Sequence, residues 1–480
     1  MATNLRNGGD PLTSRMSIDA TEYEELENEL NLFSIQVNQV PIWERIRFKI
    51  FREINQDKDQ GQAHTQTGTG LSEHLKGITL WLKNTIHRNS YFAGEHDFLF
   101  WGHQRRKLEE DGYWWDIYCD PIHEQTELDY VHMEAPYLLS HRSPAKTQQL
   151  RYLDFIQFTG TLQRKFGLRS PSIPDDVIKR LHEAEEEIQR RFEADVDLVS
   201  KTKEVLHVRN TTLPLYERLL ERIDPNVVVM VVSYGKETFI EACKRKGIPV
   251  VELQHGVIYD HHFGYSYPDG TTKTTFPDYL LTFGEFWNEN ARFPIPDDRV
   301  IPVGYPYLEG RLDKYDDIEP TEQLLFISQG TIGQELSQFA LKVHEDDRID
   351  HEVVYKLHPG EYDRWEDEYP WLAESDVRVI DGSEPPLYRL FAESSAQIGV
   401  GSTAVYEGLC FDLKTFVFET AGADVLKPLV EDGSASAIGS VEGLVKSLNP
   451  ENEQNFSRDY FFKPHSISNI VSELNRIRQI

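Results

Sequence analysis

Between His351 and Glu419, short apolar runs alternate with helix-like segments, and this alternation restricts the fold more than any other feature of the chain. The runs are Val353 to Leu357, Val377 to Ile380, Gln397 to Val400 and Thr415 to Phe418, each closed by a polar or glycine-containing turn. Short β-branched runs separated by helices predict a parallel sheet with crossover helices, in which ligands sit beyond the carboxyl ends of the strands. His358-Pro359 directly follows one run and Gly401-Ser402-Thr403 another, so two strands are expected to deliver polar groups to one rim.

The same rhythm runs upstream. Phe98 to Trp101 and Asn226 to Ser233 read as buried strands, and PVVELQHG reads as a strand that delivers Gln254-His255-Gly256 to its end. DYLLTFG and RVIPVGYP follow, then a polar stretch, 305–322, that reads as a hinge before a second strand series opens at EQLLFISQGTIG. The expected class is α/β, with two Rossmann-like domains, 91–312 and 320–480, facing a cleft. A helical extension, 1–90, precedes them: a disordered start over residues 1–20, a helix around PIWERIRFKIFREI, a polar linker at 56–70 and a further helix near 72–86. Residues 175–223 read as helical, with charges on a solvated face.

Asp and Glu outnumber Lys and Arg by 80 to 50, giving a net charge of −30, which excludes a general nucleic-acid binder. The acidity is spread along the whole chain, as on a halophilic surface where salt screens self-repulsion. Arg45, Lys49 and Arg52 form a local basic face on the helix 41–53; peripheral contact with an anionic membrane is one reading, and ordinary packing of an amphipathic helix is the favoured one. Cys119, Cys243 and Cys410 lack metal-type spacing and suit a reducing compartment without disulfides. The start has no apolar signal core, and the longest apolar run, Val227 to Val232, is too short to cross a bilayer, so a soluble cytoplasmic protein is expected.

Glu110-Asp111-Gly112, Gln254-His255-Gly256, Lys356-Leu357-His358-Pro359 and Gly401-Ser402-Thr403 follow one another within two Rossmann-like halves. In that order they resemble GT-B-type glycosyltransferases, in particular bacterial sialyltransferases and capsular polysaccharide transferases that use CMP-activated sugars. The chain is also similar to CDP-glycerol glycerophosphotransferases, and the resemblance spans roughly residues 95–430. It implies inverting, metal-independent transfer of a sugar or glycerol-phosphate-like group from a CMP- or CDP-activated donor to a surface glycan or lipid-linked acceptor, with no cofactor.

Such a donor leaves as a phosphate, so hydrogen-bond donors must meet its charge. By the resemblance His358, Pro359, Ser402 and Thr403 bind that phosphate, and Ser402 or Thr403 also stands where a helix begins. Glu407, in the same helix, is placed to accept from ribose hydroxyls, and Ser328-Gln329-Gly330-Thr331 ends the first strand of that domain beside the donor. Inversion also needs a base for the acceptor hydroxyl. Asp111 matches the acidic position of one group and His255 the His-Gly histidine of the other; His255 is the better placed, and Asp111-Gly112 is also a common turn pair. Gln254, Gly256 and the aromatic loop carrying Tyr259, His261 and His262 are assigned to the acceptor side, with ring stacking on sugars. The acidic pairs at 297, 316 and 346 fall in turns, and no obligatory metal is expected. A sugar-nucleotide 2-epimerase and a non-catalytic nucleotide- or polysaccharide-binding protein remain as alternatives.

Overall fold

A computed structural model of the chain describes residues 19–58, 79–330, 332–420, 422–449, 454 and 456–479. Residues 1–18 of the expected disordered start, nearly all of the 56–70 linker, the first half of the 72–86 helix and Thr331 lie outside these residues, whereas Asp19 and Ala20 cap and open a helix that runs to Glu29.

The apolar runs are the strands of two sheets. The first comprises β1 (Phe98–Trp101), β2 (Tyr130–Glu134), β3 (Leu150–Tyr152), β4 (Val227–Val231), β5 (Val250–Leu253), β6 (Tyr279–Thr282) and β7 (Val300–Pro302), in spatial order 7-6-5-4-1-2-3. The second comprises β8 (Gln323–Ile327), β9 (Glu352–Lys356), β10 (Arg378–Ile380), β11 (Ala396–Gly399), β12 (Lys414–Phe418) and β13 (Ser436–Ile438), in spatial order 10-9-8-11-12-13. Every pairing within them is parallel. Both are doubly wound, and the order reverses between β1 and β4 in one and between β8 and β11 in the other, where such sheets hold ligands.

Alternation along the strands fills two cores per sheet. Leu99, Trp101, Val228 and Met230 face one layer, while Phe98, Phe100, Val227, Val229 and Val231 face the other. In the second sheet Leu324, Phe326, Val353 and Tyr355 oppose Leu325, Ile327 and Val354. The helix Ser466–Arg478 leaves the second series and returns to the first, where Ile470, Leu474 and Ile477 join the Phe98 layer. Gly304 makes room for that return: its φ is +98°, and a Cβ there would sit 2.1 Å from the Lys463 carbonyl oxygen. Two doubly wound parallel sheets with helices form an α/β fold with two Rossmann-like sheets.

The 305–322 stretch, read as a hinge, is partly helical. Pro306–Tyr315 is a helix started by proline, and it buries Tyr307 and Leu308 in the core.

Compact grouping does not follow a simple cut near residue 90. One unit combines residues of Met1–Gly68 with Ile173–Thr202, and the other holds Thr69–Ser172 and Lys203–Ile480, which includes both sheets. In the first unit the helix Trp43–Lys58 buries Trp43, Ile46, Ile50 and Ile54. Arg47, fully buried on that helix, donates its Nε to Glu27 Oε1 at 2.6 Å, and Trp43 Nε1 donates to the same oxygen at 2.6 Å. The apolar face of this basic helix is therefore spent on packing, while Lys49 and Arg52 stay exposed. Among the described residues no helix is long and apolar enough to cross a membrane. Cys119, Cys243 and Cys410 are free and buried.

Candidate active site

The switch point of the second sheet is bounded by Ser328-Gln329-Gly330 after β8 and Gly401-Ser402 after β11. A Cβ on Gly401 would come within 3.0 Å of the Gly422 carbonyl oxygen and 3.4 Å of Gln329 Oε1, so a side chain here would press on the Gly422 carbonyl and touch the residue after β8. Ser402 caps the helix Thr403–Leu409 by accepting from the Ala404 N–H at 3.2 Å. Thr403 does something else: its Oγ1 accepts from the Val257 N–H at 3.3 Å, joining this rim to the strand end that carries Gln254-His255-Gly256.

β9 ends in Lys356, followed by the turn His358-Pro359-Gly360-Glu361. Glu361 is fully buried and organises the turn. Its Oε2 accepts the His358 N–H at 2.7 Å, and its Oε1 accepts Ser328 Oγ at 3.0 Å and Tyr369 OH at 2.7 Å. The Gly360 N–H donates to His358 Nδ1 at 3.1 Å, so in the neutral ring the proton sits on Nε2, which faces outward as a donor. Lys356 Nζ holds Tyr362 OH at 2.8 Å and the Gly382 carbonyl, and burial pushes its pKa down to about 8.

On the first sheet, β5 ends at Leu253 and the next side chain turns inward. Gln254 is buried, accepting the Phe283 N–H at 2.7 Å and donating to the Gly256 carbonyl at 2.8 Å, so it braces the strand end and has no face for an acceptor. His255 lies between two tyrosines, with Tyr265 OH 3.1 Å from Nδ1 and Tyr234 OH 3.3 Å from Nε2. Buried Glu252 fixes the ring's tautomer. Its Oε1 receives the Ser233 N–H at 3.0 Å and the Tyr265 hydroxyl, so Tyr265 spends its proton there and accepts from Nδ1–H of His255. The lone pair then lies on Nε2, where Tyr234 OH donates to it, and an acceptor hydroxyl must take the place of that hydroxyl. Burial first, then His262, His103 and Lys236, hold the His255 pKa well below its ordinary value, so the ring is neutral at physiological pH.

The rest of the acceptor loop is less open than its sequence implied. Phe263, Tyr265 and Tyr267 are core residues and cannot stack on a sugar, whereas Tyr259, His261 and His262 keep partial exposure. Asp111 lies in an exposed turn. Slight desolvation raises its pKa, but the Tyr113 N–H, Lys146 and Trp115 outweigh it and hold the carboxyl below its ordinary value.

A cleft of about 630 Å³ takes in residues from both sheets' surroundings. Ser328, His358, Pro359 and Ser402 line it together with the cations Arg106, Lys107, Arg311 and Lys356 and the carboxylates Glu109, Glu110 and Glu384; Glu109 pairs with both Arg311 and Lys107. Lys107 Nζ holds Tyr307 OH at 2.7 Å, and Tyr307 donates to Glu109 at 2.6 Å. Glu407, Thr403, Gln329, Gly330, Asp111 and His255 are not among the cleft's lining residues. Glu407 accepts the Tyr388 hydroxyl at 2.6 Å, and burial raises its pKa, so its carboxylate clasps a core tyrosine. The sequence reading missed Lys356, Glu361, Lys107, Arg311, Tyr265 and Glu252. The first two had a signal in KLHPGE, where a strand-end Lys and a Glu flank the His-Pro turn.

Among the described residues one group of three, Asp116, Cys119 and His132, brings potential metal-ligand atoms within 4.8 Å of one another, all buried. Asp116 already accepts the His103 N–H at 2.7 Å and the Tyr118 N–H at 3.1 Å, which is the arrangement of a capping carboxylate.

No protein-family model matches the chain, and no curated protein does. Solved structures that resemble it include UDP-GlcNAc 2-epimerase from Methanocaldococcus jannaschii, at 12% identity over 79% of this chain and 99% of that one, with a TM-score of 0.46. Others are the spinosyn rhamnosyltransferase SpnG (13%, 79% and 95%, TM-score 0.43) and the wall teichoic acid polymerase TagF (12%, 86% and 98%, TM-score 0.43). Likeness at this level assigns neither family nor activity, which rest on the site itself.

Proposed function

We propose that the protein is an inverting transferase that moves a sugar, or a glycerol-phosphate-like group, from a cytidine nucleotide to a glycan or lipid-linked acceptor. The observation that supports this most is that the strand end carrying His255 is tied, through the Val257 N–H to Thr403 Oγ1 hydrogen bond, to the sheet whose strand ends carry Ser402 and His358. On one side stands a neutral imidazole with its lone pair on Nε2. On the other, His358 presents an Nε2–H in the cleft that Lys356 also lines. The acceptor hydroxyl gives its proton to His255 Nε2 as its oxygen bonds to the transferred centre, and the bond from that centre to the donor phosphate breaks with its electron pair on the phosphate oxygen. His358, Lys356 and Ser402 meet that charge, and a metal is not required for it. The donor side is the 320–480 half and the acceptor side the 91–312 half. The sialyltransferase-like reading, with capsular or other surface polysaccharide as product, is the finer form of the same proposal.

Calorimetric titration with CMP, CDP and UDP, in high salt and with EDTA, tests it on the wild type and on His358→Ala. Micromolar CMP or CDP binding that the substitution weakens about tenfold is the expected result. A preference for UDP would instead favour UDP-sugar enzymes, 2-epimerases among them, and absence of nucleotide binding would remove the donor assignment.

Lys356 adds a pH signature. With its pKa pushed down to about 8, the cation is present below that pH and lost above it, so donor affinity should fall as pH rises through about 8. Lys356→Arg, which stays charged, should flatten the profile. A wild-type Kd that does not change across this range would take Lys356 out of the phosphate site.

A further inference from the structure

The edge strand β3 is flanked by three segments whose composition departs from the rest of the chain. Asp and Glu make up 80 of 480 residues, yet 79–94, 135–153 and 155–172 contain none, and together they carry eight Lys and Arg. Among the described residues ten large apolar side chains are exposed, and eight of them fall in these same segments, led by Ile86 at 77%, Phe166 at 72% and Leu138 at 70%.

Hydrogen bonds join 79–94 to 135–153, and Asp154 joins 135–153 directly to 155–172. Asp154, buried between two of them, accepts Asn84 Nδ2 at 3.2 Å through Oδ1 and bonds His141 Nε2 at 2.9 Å through Oδ2. The Tyr152 N–H donates to the Arg88 carbonyl at 2.6 Å. Lys83, Arg142, Lys165 and Arg169 are exposed around the apolar side chains, and among the described residues none of the four pairs with a carboxylate.

Protruding apolar side chains in segments whose exposed cations have no carboxylate partner among the described residues fit the interface of an anionic bilayer, where side chains enter the acyl boundary and cations meet headgroups. The core of a protein–protein interface is depleted of lysine and other charge, so this pattern fits a protein partner poorly. A chain of net charge −30 is repelled by an anionic surface unless an acid-poor face is turned to it, and these segments hold eight of the 50 Lys and Arg and no Asp or Glu. We propose that this face lies on anionic lipid, with Ile86, Leu138 and Phe166 inserted. It replaces the basic helix Trp43–Lys58, whose apolar side is buried, as the membrane-contacting element. The proposal rests on exposure and charge and is independent of the transfer chemistry.

Co-sedimentation of the full chain with phosphatidylcholine vesicles, with and without phosphatidylglycerol, tests it. Binding is expected only with phosphatidylglycerol and should be released by about 0.5 M salt. Ile86→Ser/Phe166→Ser and Arg142→Glu/Lys165→Glu should each lower the bound fraction at least about tenfold, with unchanged circular dichroism and melting, while Lys49→Glu/Arg52→Glu leaves it intact. Failure of the wild type to bind, or binding that survives both double substitutions, overturns the proposal. So does a wild-type dimer in solution that Ile86→Ser/Phe166→Ser converts to monomer, because a second copy would then cover the face.

Discussion

His255→Asn is expected to lower kcat/KM for transfer by about 10²–10⁴-fold, the range that a positioned general base contributes, with donor binding unchanged. Tyr234, Tyr265 and the main chain of the strand end hold the ring, so an amide of similar size should leave the fold intact. Tyr265→Phe should fall between the variant and the wild type. It keeps the imidazole but removes the acceptor that holds the proton on Nδ1, and Glu252→Gln should act in the same direction. Because the His255 pKa lies well below its ordinary value, the basic form persists as pH falls through 6.5. The acid limb of kcat/KM should therefore appear well below that pH. Asp111→Asn serves as the contrast: its carboxylate is engaged by Lys146 and Trp115 and should leave the rate nearly unchanged. A His255→Asn variant that turns over at the wild-type rate would refute the assignment, and a collapse in Asp111→Asn would transfer it.

Arg47→Met is expected to cost about 3–5 kcal/mol, read as a lowered urea midpoint of the full chain. The guanidinium is fully buried and is the cation beside Glu27, whose pKa burial already raises. Removing it leaves a carboxylate with only Trp43 Nε1 to satisfy it. The double variant Glu27→Met/Arg47→Met should recover most of the loss, apart from about 1–3 kcal/mol for the Trp43 N–H left without an acceptor. If the single and double variants unfold at the same midpoint, the pair is not what holds this unit together.

The strands were legible because β-branched runs closed by turns report local geometry directly. Phe98–Trp101 and the runs ending in Lys356, Gly399 and Phe418 emerge within a residue or so of where the sequence puts them. The two rims were legible for the same reason, since His358 and Ser402 follow strand ends by only a few residues. What stayed hidden depends on distant partners. An amphipathic helix such as Asp175–Phe192 shows which face it buries but not against what, so its grouping with the N-terminal helices could not be read. The Glu252–Tyr265–His255 chain joins a strand residue to a loop residue thirteen positions later, and no local pattern announces it. The same loop looked like a sugar platform because aromatic residues in a polar stretch fit a core as well as a surface. Asp111 and Glu407 have local partners that their motifs did not show: Asp111 accepts the Tyr113 N–H in a turn, and Glu407 accepts the Tyr388 hydroxyl.

The returning helix Ser466–Arg478 has a consequence for how the protein is made. The layer containing Phe98 and Val227 is closed by Ile470, Leu474 and Ile477, more than two hundred residues further along. During synthesis the first sheet emerges long before its cover, and at about 5–20 residues per second it stays uncapped for on the order of ten seconds or more. For that interval the nascent chain offers an open apolar surface to holding chaperones, and a ribosome stalled before residue 466 would carry both sheets yet still lack the piece that seals the first.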